Sequence, residues 1–225
     1  MSNAAPSALV VIVGVAALLG LGVGHWVNRL AARFPRDVAR EATGPAVRPP
    51  FVEIGTALLF ALTAVRFGLS WELPAFLFLA GTAVLLTIVD VQHKLLPNRI
   101  VLPSIGIGAA LLAVAALGTG DWTALLRGVV AAAVLLVVFF VLVLISPRSI
   151  GMGDAKLAAL LGLYLGWLGW EVVLLGIAAG FVVQAVLALL LLASRRIGLK
   201  GELPFGPAML IGAALVIGWS GALPS

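Results

Sequence analysis

Two carboxylates stand where this chain has few. The stretch "LLTIVDVQHKLLPN" puts Asp90 at the end of one apolar run, and "GMGDAKLAALLG" puts Asp154 at the start of another. An ionisable residue at the edge of an apolar span is costly and asks for a reason. A carboxylate pair at hydrogen-bonding distance can share one proton, because two like charges that close do not both ionise in a low-dielectric site. The ionised partner can take a proton from water as it attacks a peptide carbonyl. The protonated partner can donate to the carbonyl oxygen, and the pair then supplies the proton of the leaving amine. Such hydrolysis of the aspartic type requires no metal, cofactor or covalent intermediate. The rest of the inventory suits it. The chain has no cysteine, which removes disulfides, thiol nucleophiles and Cys-ligated zinc. Its two histidines, His25 and His93, are too few for a His-based metal site without acidic help.

The neighbours of both acids fit the same chemistry. Gly151 and Gly153 are expected to allow backbone conformations that a side chain would forbid, and to let a substrate strand come close. Non-helical backbone at membrane depth is tolerated only where protein or a water cavity surrounds it. Asp154, at a helix start, is expected to gain from capping and the macrodipole. After Asp90, Pro97 and Asn98 mark a turn. Gly-x-Gly-Asp alone also describes a plain turn with a cap, so the second acid sharpens the reading. The other charges have blander explanations. Glu72, Asp121 and Glu171 fall in short outer loops, and Asp37, Glu41 and Glu202 in loops on the other side. Arg66 and Arg127 can snorkel. Glu53 lies early in a span, where a helix N-terminus would favour its charge, and both a structural and a functional role stay open for it.

The elements that must position these residues are membrane helices. The 225 residues are 63% hydrophobic and 10% charged, with mean hydropathy +1.22. A soluble domain of this length could not hide so much apolar surface. The fold class expected is therefore all-α, a polytopic membrane protein with about eight transmembrane helices. The spans expected are Ala8–Val27, Phe51–Phe67, Pro74–Val89, Ile100–Leu117, Ala124–Ile145, Ala155–Leu168, Val172–Ala193 and Pro207–Leu223. "GWLGWE", Gly166 to Glu171, separates the sixth from the seventh. The first run lacks a positive leading segment and reads as a span, not a cleaved signal. Two spans lie between the acids, so both face the same side of the membrane whichever way the chain inserts.

Orientation follows from the basic residues. One side collects Arg29, Arg33, Arg36, Arg40, Arg48, Lys94, Arg99, Arg148, Lys156, Arg195, Arg196 and Lys200, and the other only Arg66 and Arg127. That bias makes the first side cytoplasmic, with both termini outside. The longest loop, Arg29 to Pro50, reads as a connector lying on anionic headgroups. The net charge of +5 is not a nucleic-acid footprint, because the basic residues occupy short loops between apolar runs.

With these residues in place the sequence resembles the type IV prepilin peptidases, or leader peptidases, polytopic aspartic proteases of the Gly-x-Gly-Asp class. "DVQHKLLPN" looks like the family's first catalytic motif and "GMGDAKL" like its second. "LPFGPAMLIG" is similar to its C-terminal Pro-Phe-Gly-Pro segment. "GHWVNRLAARFPR" and "RPPFVEIGTALLFALTAVRFG" resemble two upstream stretches. The resemblance implies that Asp90 and Asp154 are the catalytic aspartates, with Gly151, Gly153 and Lys156 in support. Glu53, Pro204, Phe205, Gly206 and Pro207 match motif positions without an assigned role. It implies an endopeptidase of the inner membrane, its active site at the cytoplasmic face, acting on prepilin or pseudopilin substrates among membrane lipids. A two-helix region, 1–68, would precede a six-helix peptidase region, 69–225. Many bifunctional members also carry two Cys-x-x-Cys pairs associated with zinc and N-methylate the mature pilin. This chain departs from them in having no cysteine, which puts the methyltransferase in question. S-adenosylmethionine enters only if that activity is retained, and proteolysis needs no cofactor. The rival readings are an ion-coupled transporter, which would place acids near mid-span, and an inactive scaffold of a secretion machine. No oligomeric state follows from the sequence.

Overall fold

The computed structural model describes residues 6–34, 44–146, 151–194 and 203–222. Among these are eight α-helices: α1 (Pro6–Ala31), α2 (Phe51–Phe67), α3 (Leu73–His93), α4 (Asn98–Thr119), α5 (Trp122–Ile145), α6 (Met152–Leu168), α7 (Trp170–Ala193) and α8 (Gly206–Trp219). A 3-10 turn, Ser220–Ala222, follows α8. Each helix falls on one expected span. Five of them, α1, α3, α4, α5 and α7, are long and apolar enough to cross a bilayer. The others are shorter: α2 and α6 have 17 residues each and α8 has 14. The chain is an all-helical, polytopic membrane protein. Helix α8 ends at Trp219, before the expected limit of its span, and Leu223 lies outside the described residues. So do Arg36, Arg40, Arg148, Arg195, Arg196 and Lys200, on which much of the orientation rests, and the acids Asp37, Glu41 and Glu202.

The chain divides into two compact units. The first comprises Met1–His93 and Ala110–Gly120, the second Lys94–Ala109 and Asp121–Ser225. Helix α4 thus gives its first half to the second unit and its last half to the first.

In the first unit, Ala16, Phe60, Ala64 and Leu73 form a core lined by Ile12, Val13, Val23, Phe67, Leu77 and Ala80. Lipid tails are as apolar as these side chains, so close backbone packing must hold the helices together. Helices α1 and α2 achieve it through small residues. A methyl on Gly20 would fall 2.6 Å from the Ala57 Cα, and one on Gly24 2.7 Å from the Glu53 Cα.

The second unit uses the same device twice. Between α5 and α6, a methyl on Gly128 would meet the Leu163 carbonyl oxygen at 2.6 Å, and one on Gly162 that of Ala131 at 2.8 Å. Between α7 and α8, a methyl on Gly180 would lie 3.2 Å from the Met209 Cα. Helix α6 is enclosed by this packing: Ala155 and Leu157 through Trp167 are all buried. Helix α5 keeps a long exposed apolar face, including Val134, Val137, Phe140 and Leu144, suited to lipid. The break between α6 and α7 falls at Gly169, whose φ of +153° a side chain would resist.

Two charges expected to be merely solvated or snorkelling do more. Asp121 caps α5, its Oδ1 accepting from the Ala124 amide at 2.9 Å. Arg127 reaches the C-terminal end of α6, donating from Nε to the Gly166 carbonyl and from an Nη to that of Trp167, both at 2.6 Å. A cation there satisfies carbonyls that the helix leaves unpaired and complements its dipole.

Candidate active site

The second acidic motif is built on the start of α6. Gly151 is the cap residue, and Asp154 is the third residue of the helix rather than its cap. The Asp154 carboxylate turns back and accepts from the Gly151 amide at 2.8 Å. The Asp154 amide in turn donates to the Gly151 carbonyl at 3.0 Å. This is the acidic half of a capping box, in which a side chain three residues into the helix satisfies the amide at its mouth. Asp154 is partly accessible, while the residues after Lys156 are buried. The helix therefore presents its acid at a rim and sinks its apolar turns into protein.

The two glycines of the motif serve differently from the expectation. Neither takes a left-handed conformation. Gly151 has φ −94° and ψ 162°, which any residue can adopt. A methyl added to it would meet nothing nearer than Asp154 Oδ2 at 3.5 Å. Gly153 is required by close approach instead. Its Cβ would stand 2.7 Å from the Cβ of Leu96, an atom tied to the backbone. Conformational freedom and room for a substrate strand are what the sequence suggests for both glycines; at Gly153 the close neighbour is the chain's own "LLPN" turn.

That contact joins the two motifs within the second unit. Helix α3 ends at His93, and Lys94 turns left-handed with φ +51°. Pro97 then opens α4, its carbonyl accepting from Ile100 at 2.9 Å and Val101 at 3.1 Å. From the first residue of α4, Asn98 Oδ1 accepts a hydrogen bond from Lys156 Nζ at 2.6 Å. Leu96 packs on Gly153, and Asn98 bonds Lys156 (two contacts spaced along one helix face). In the sequence Asn98 marks a turn and closes the first motif, and its pairing with Lys156 is visible only in the fold. Replacing Asn98 by Ala is expected to remove this charge-assisted bond, lower thermal stability by about 1–2 kcal/mol and reduce turnover. A thermal-shift assay together with a cleavage assay reads both effects, and Asn98→Asp should restore them.

Asp90 belongs to the first unit, in the last turn of α3, where it is buried at 5% exposure. Two residues on, Gln92 Nε2 donates to the Ala46 carbonyl at 2.9 Å. Asn28, fully buried at the end of α1, holds the adjacent residue from both sides: its amide donates to the Val47 carbonyl and its Oδ1 accepts from the Val47 amide, each at 2.9 Å. The end of α1, the approach to α2 and the last turn of α3 thus meet at one end of this unit. Glu53 lies here too, in the first turn of α2. The segment that includes Pro204, Phe205, Gly206 and Pro207 begins α8, with a proline at its first turn. Phe205 is buried, its ring 5.1 Å from that of Phe181 and 6.2 Å from that of Phe139. These positions build packing in the second unit.

The chain is thus a polytopic helical membrane protein with an acid at the mouth of a buried helix in its second unit and another at the end of a helix in its first. The family model described as the type IV leader peptidase family matches residues 77–199, more than half of the chain and both acids. The chain belongs to the type IV leader peptidase family. A protein named Prepilin leader peptidase/N-methyltransferase from Stutzerimonas stutzeri is 33% identical over 173 residues, covering 76% of this chain and 58% of that protein. One of the same name from Pseudomonas putida is 35% identical over 179 residues, covering 77% and 59%. Another from Bacillus subtilis (strain 168) is 32% identical over 169 residues, covering 74% and 64%. The chain thus spans less than two thirds of the length of these relatives. No solved structure matches the chain significantly.

Proposed function

We propose that the chain is a membrane-embedded aspartic endopeptidase that removes the leader from prepilin-like substrates, pilins or pseudopilins, with Asp90 and Asp154 as its acid pair. The observation that carries this reading is the clasp at the start of α6. Leu96 and Asn98, in the segment that follows Asp90, are fastened to Gly153 and Lys156 on either side of Asp154. The position of each acid supports it further. Asp90 is in the last turn of its helix and Asp154 in the first turn of its own, whereas a transporter reading calls for acids near mid-span. In this mechanism one carboxylate takes a proton from water as it attacks the scissile carbonyl and passes that proton to the leaving nitrogen, while the other protonates the carbonyl oxygen and recovers its proton as the intermediate collapses.

We assign the peptidase activity to residues 69–225, and the site to the cytoplasmic face of the inner membrane, where the basic loops would lie against anionic lipid. Proteolysis of this kind uses no cofactor. A cysteine-bound zinc does not fit a chain without cysteine, and no step is routed through one. The N-methyltransferase part of the relatives' name stays with the relatives, and S-adenosylmethionine would enter only with that activity.

The test is co-expression with a candidate prepilin, followed by N-terminal sequencing of the product. A single new N-terminus, formed only when this chain is present, is expected. A substrate that keeps its leader would overturn the reading.

A further inference from the structure

We propose that Glu53 is a cation subsite of the first unit, which takes one ammonium or guanidinium side chain of the peptide substrate. The proposal rests on the peptidase reading. Glu53 is 9% exposed, and neither carboxylate oxygen has a hydrogen-bond donor among the described residues. The Thr56 hydroxyl and the Asn28 amide are committed elsewhere. Thr56 donates to the Val52 carbonyl at 2.7 Å, and the Asn28 amide donates to Val47. His25 Nδ1 stands 3.7 Å from Glu53 Oε1, within ion-pair reach when the imidazole is protonated but longer than a hydrogen bond.

A carboxylate is an acceptor only, and buried acceptors without donors are rare because water is lost and nothing replaces it. This one cannot relocate easily. Gly24 presses on its backbone, leaving no room for even a methyl group between α1 and α2. Yet the site is not sealed, for the His25 side chain beside it is 51% exposed. A buried acceptor at the end of an open approach suits a donor brought in from outside.

The donor's class follows from the lining. No acid cluster that could hold a metal occurs among the described residues, and one carboxylate alone is a poor cage for a divalent metal, which takes six or more oxygen ligands or keeps its waters. It is well matched to a single organic cation, which supplies both charge and N–H donors. Its place in the unit points to the substrate. Glu53 begins α2 at the end where Asn28, Val47, Ala46 and Gln92 join the three helices, and Asp90 is on the same turn of α3 as Gln92. A peptide held at Asp90 can therefore reach Glu53 with a flanking side chain.

The experiment uses the full chain in nanodiscs and a prepilin substrate whose Lys and Arg residues are changed to Gln one at a time. One such change is expected to raise KM at least about tenfold for the wild type, as loss of one partner of a buried charge pair does. Glu53→Gln should raise KM for the parent substrate by the same factor, leave kcat within about twofold, and make the parent and that variant indistinguishable. Equal loss on every substrate, or a fall in thermal stability without change in charge selectivity, would overturn the subsite and assign Glu53 to the fold. Binding of the same peptides is measured by fluorescence anisotropy in parallel. If nothing is cleaved, the peptidase reading fails, while charge-selective binding that Glu53→Gln abolishes still upholds the subsite, and binding blind to charge removes it.

Discussion

Asp154→Asn and Asp90→Asn are each expected to reduce leader cleavage by about 10³-fold or more, because each would remove one of the two proton-transfer groups of the proposed mechanism. The protein should still insert and fold. At position 154 the reason is visible: an asparagine keeps an oxygen for the Gly151 amide, now 2.8 Å from Oδ2. Only the interaction of a charge with the helix start is lost, about 0.3–1 kcal/mol. Alanine would remove that acceptor as well, so Asp154→Ala should be less stable than Asp154→Asn yet no less inactive. Cleavage followed by immunoblot, with melting temperature measured on the same preparations, separates the two effects. Processing at the wild-type rate by either Asn variant would sink the acid pair.

Gly153→Ala carries the second large effect, and it should exceed that of Gly151→Ala although the motif writes both as glycine. The added methyl at 153 would sit 2.7 Å from the Leu96 Cβ, well inside the usual 3.5–4.0 Å or so between carbons. Either α6 or the "LLPN" turn must retreat by about 1 Å. Overpacking of this kind costs about 1–3 kcal/mol. A displacement of that size near reacting groups can cost about 10²-fold in rate. At 151 there is room, with the nearest atom at 3.5 Å, and stability should change by less than about 0.5 kcal/mol. Because the obstructing atom is the Cβ of Leu96, only Leu96→Gly should relieve Gly153→Ala. Rescue of stability and turnover by that second change, and not by Leu96→Ala, is the result expected. Equal tolerance at 151 and 153 would refute the close-contact account.

The comparison of these glycines shows where sequence reasoning reached and where it stopped. Helix positions were legible because apolar runs are bounded by Gly, Pro and charge, as at Gly169 and at Pro97–Asn98. The acids were legible because ionisable residues are scarce in such runs. What the chain does not write locally is which apolar helix is hidden. Helix α5 and helix α6 read alike as apolar runs, yet α6 is enclosed and α5 has an exposed face. Contacts between distant segments were equally silent. Asn98 with Lys156, and Arg127 with the end of α6, join residues far apart in sequence. From sequence alone Arg127 reads as snorkelling, because a rim arginine there has no visible carbonyl to meet. Glu53 stays between two roles in the sequence, since a first-turn acid does not reveal that the Thr56 and Asn28 donors are spent elsewhere.

The enclosure of α6 has a mechanical consequence. A helix in contact with lipid responds to a mismatch between its apolar length and the bilayer thickness by tilting or kinking. Helix α6 takes its position from α5, α7, α8 and the first half of α4 instead, with Arg127 holding its far end. Thinning or thickening the membrane would lean on α5 and its exposed apolar face first. The mouth of α6, with its acid, would ride on a protein frame whose reference is not the lipid.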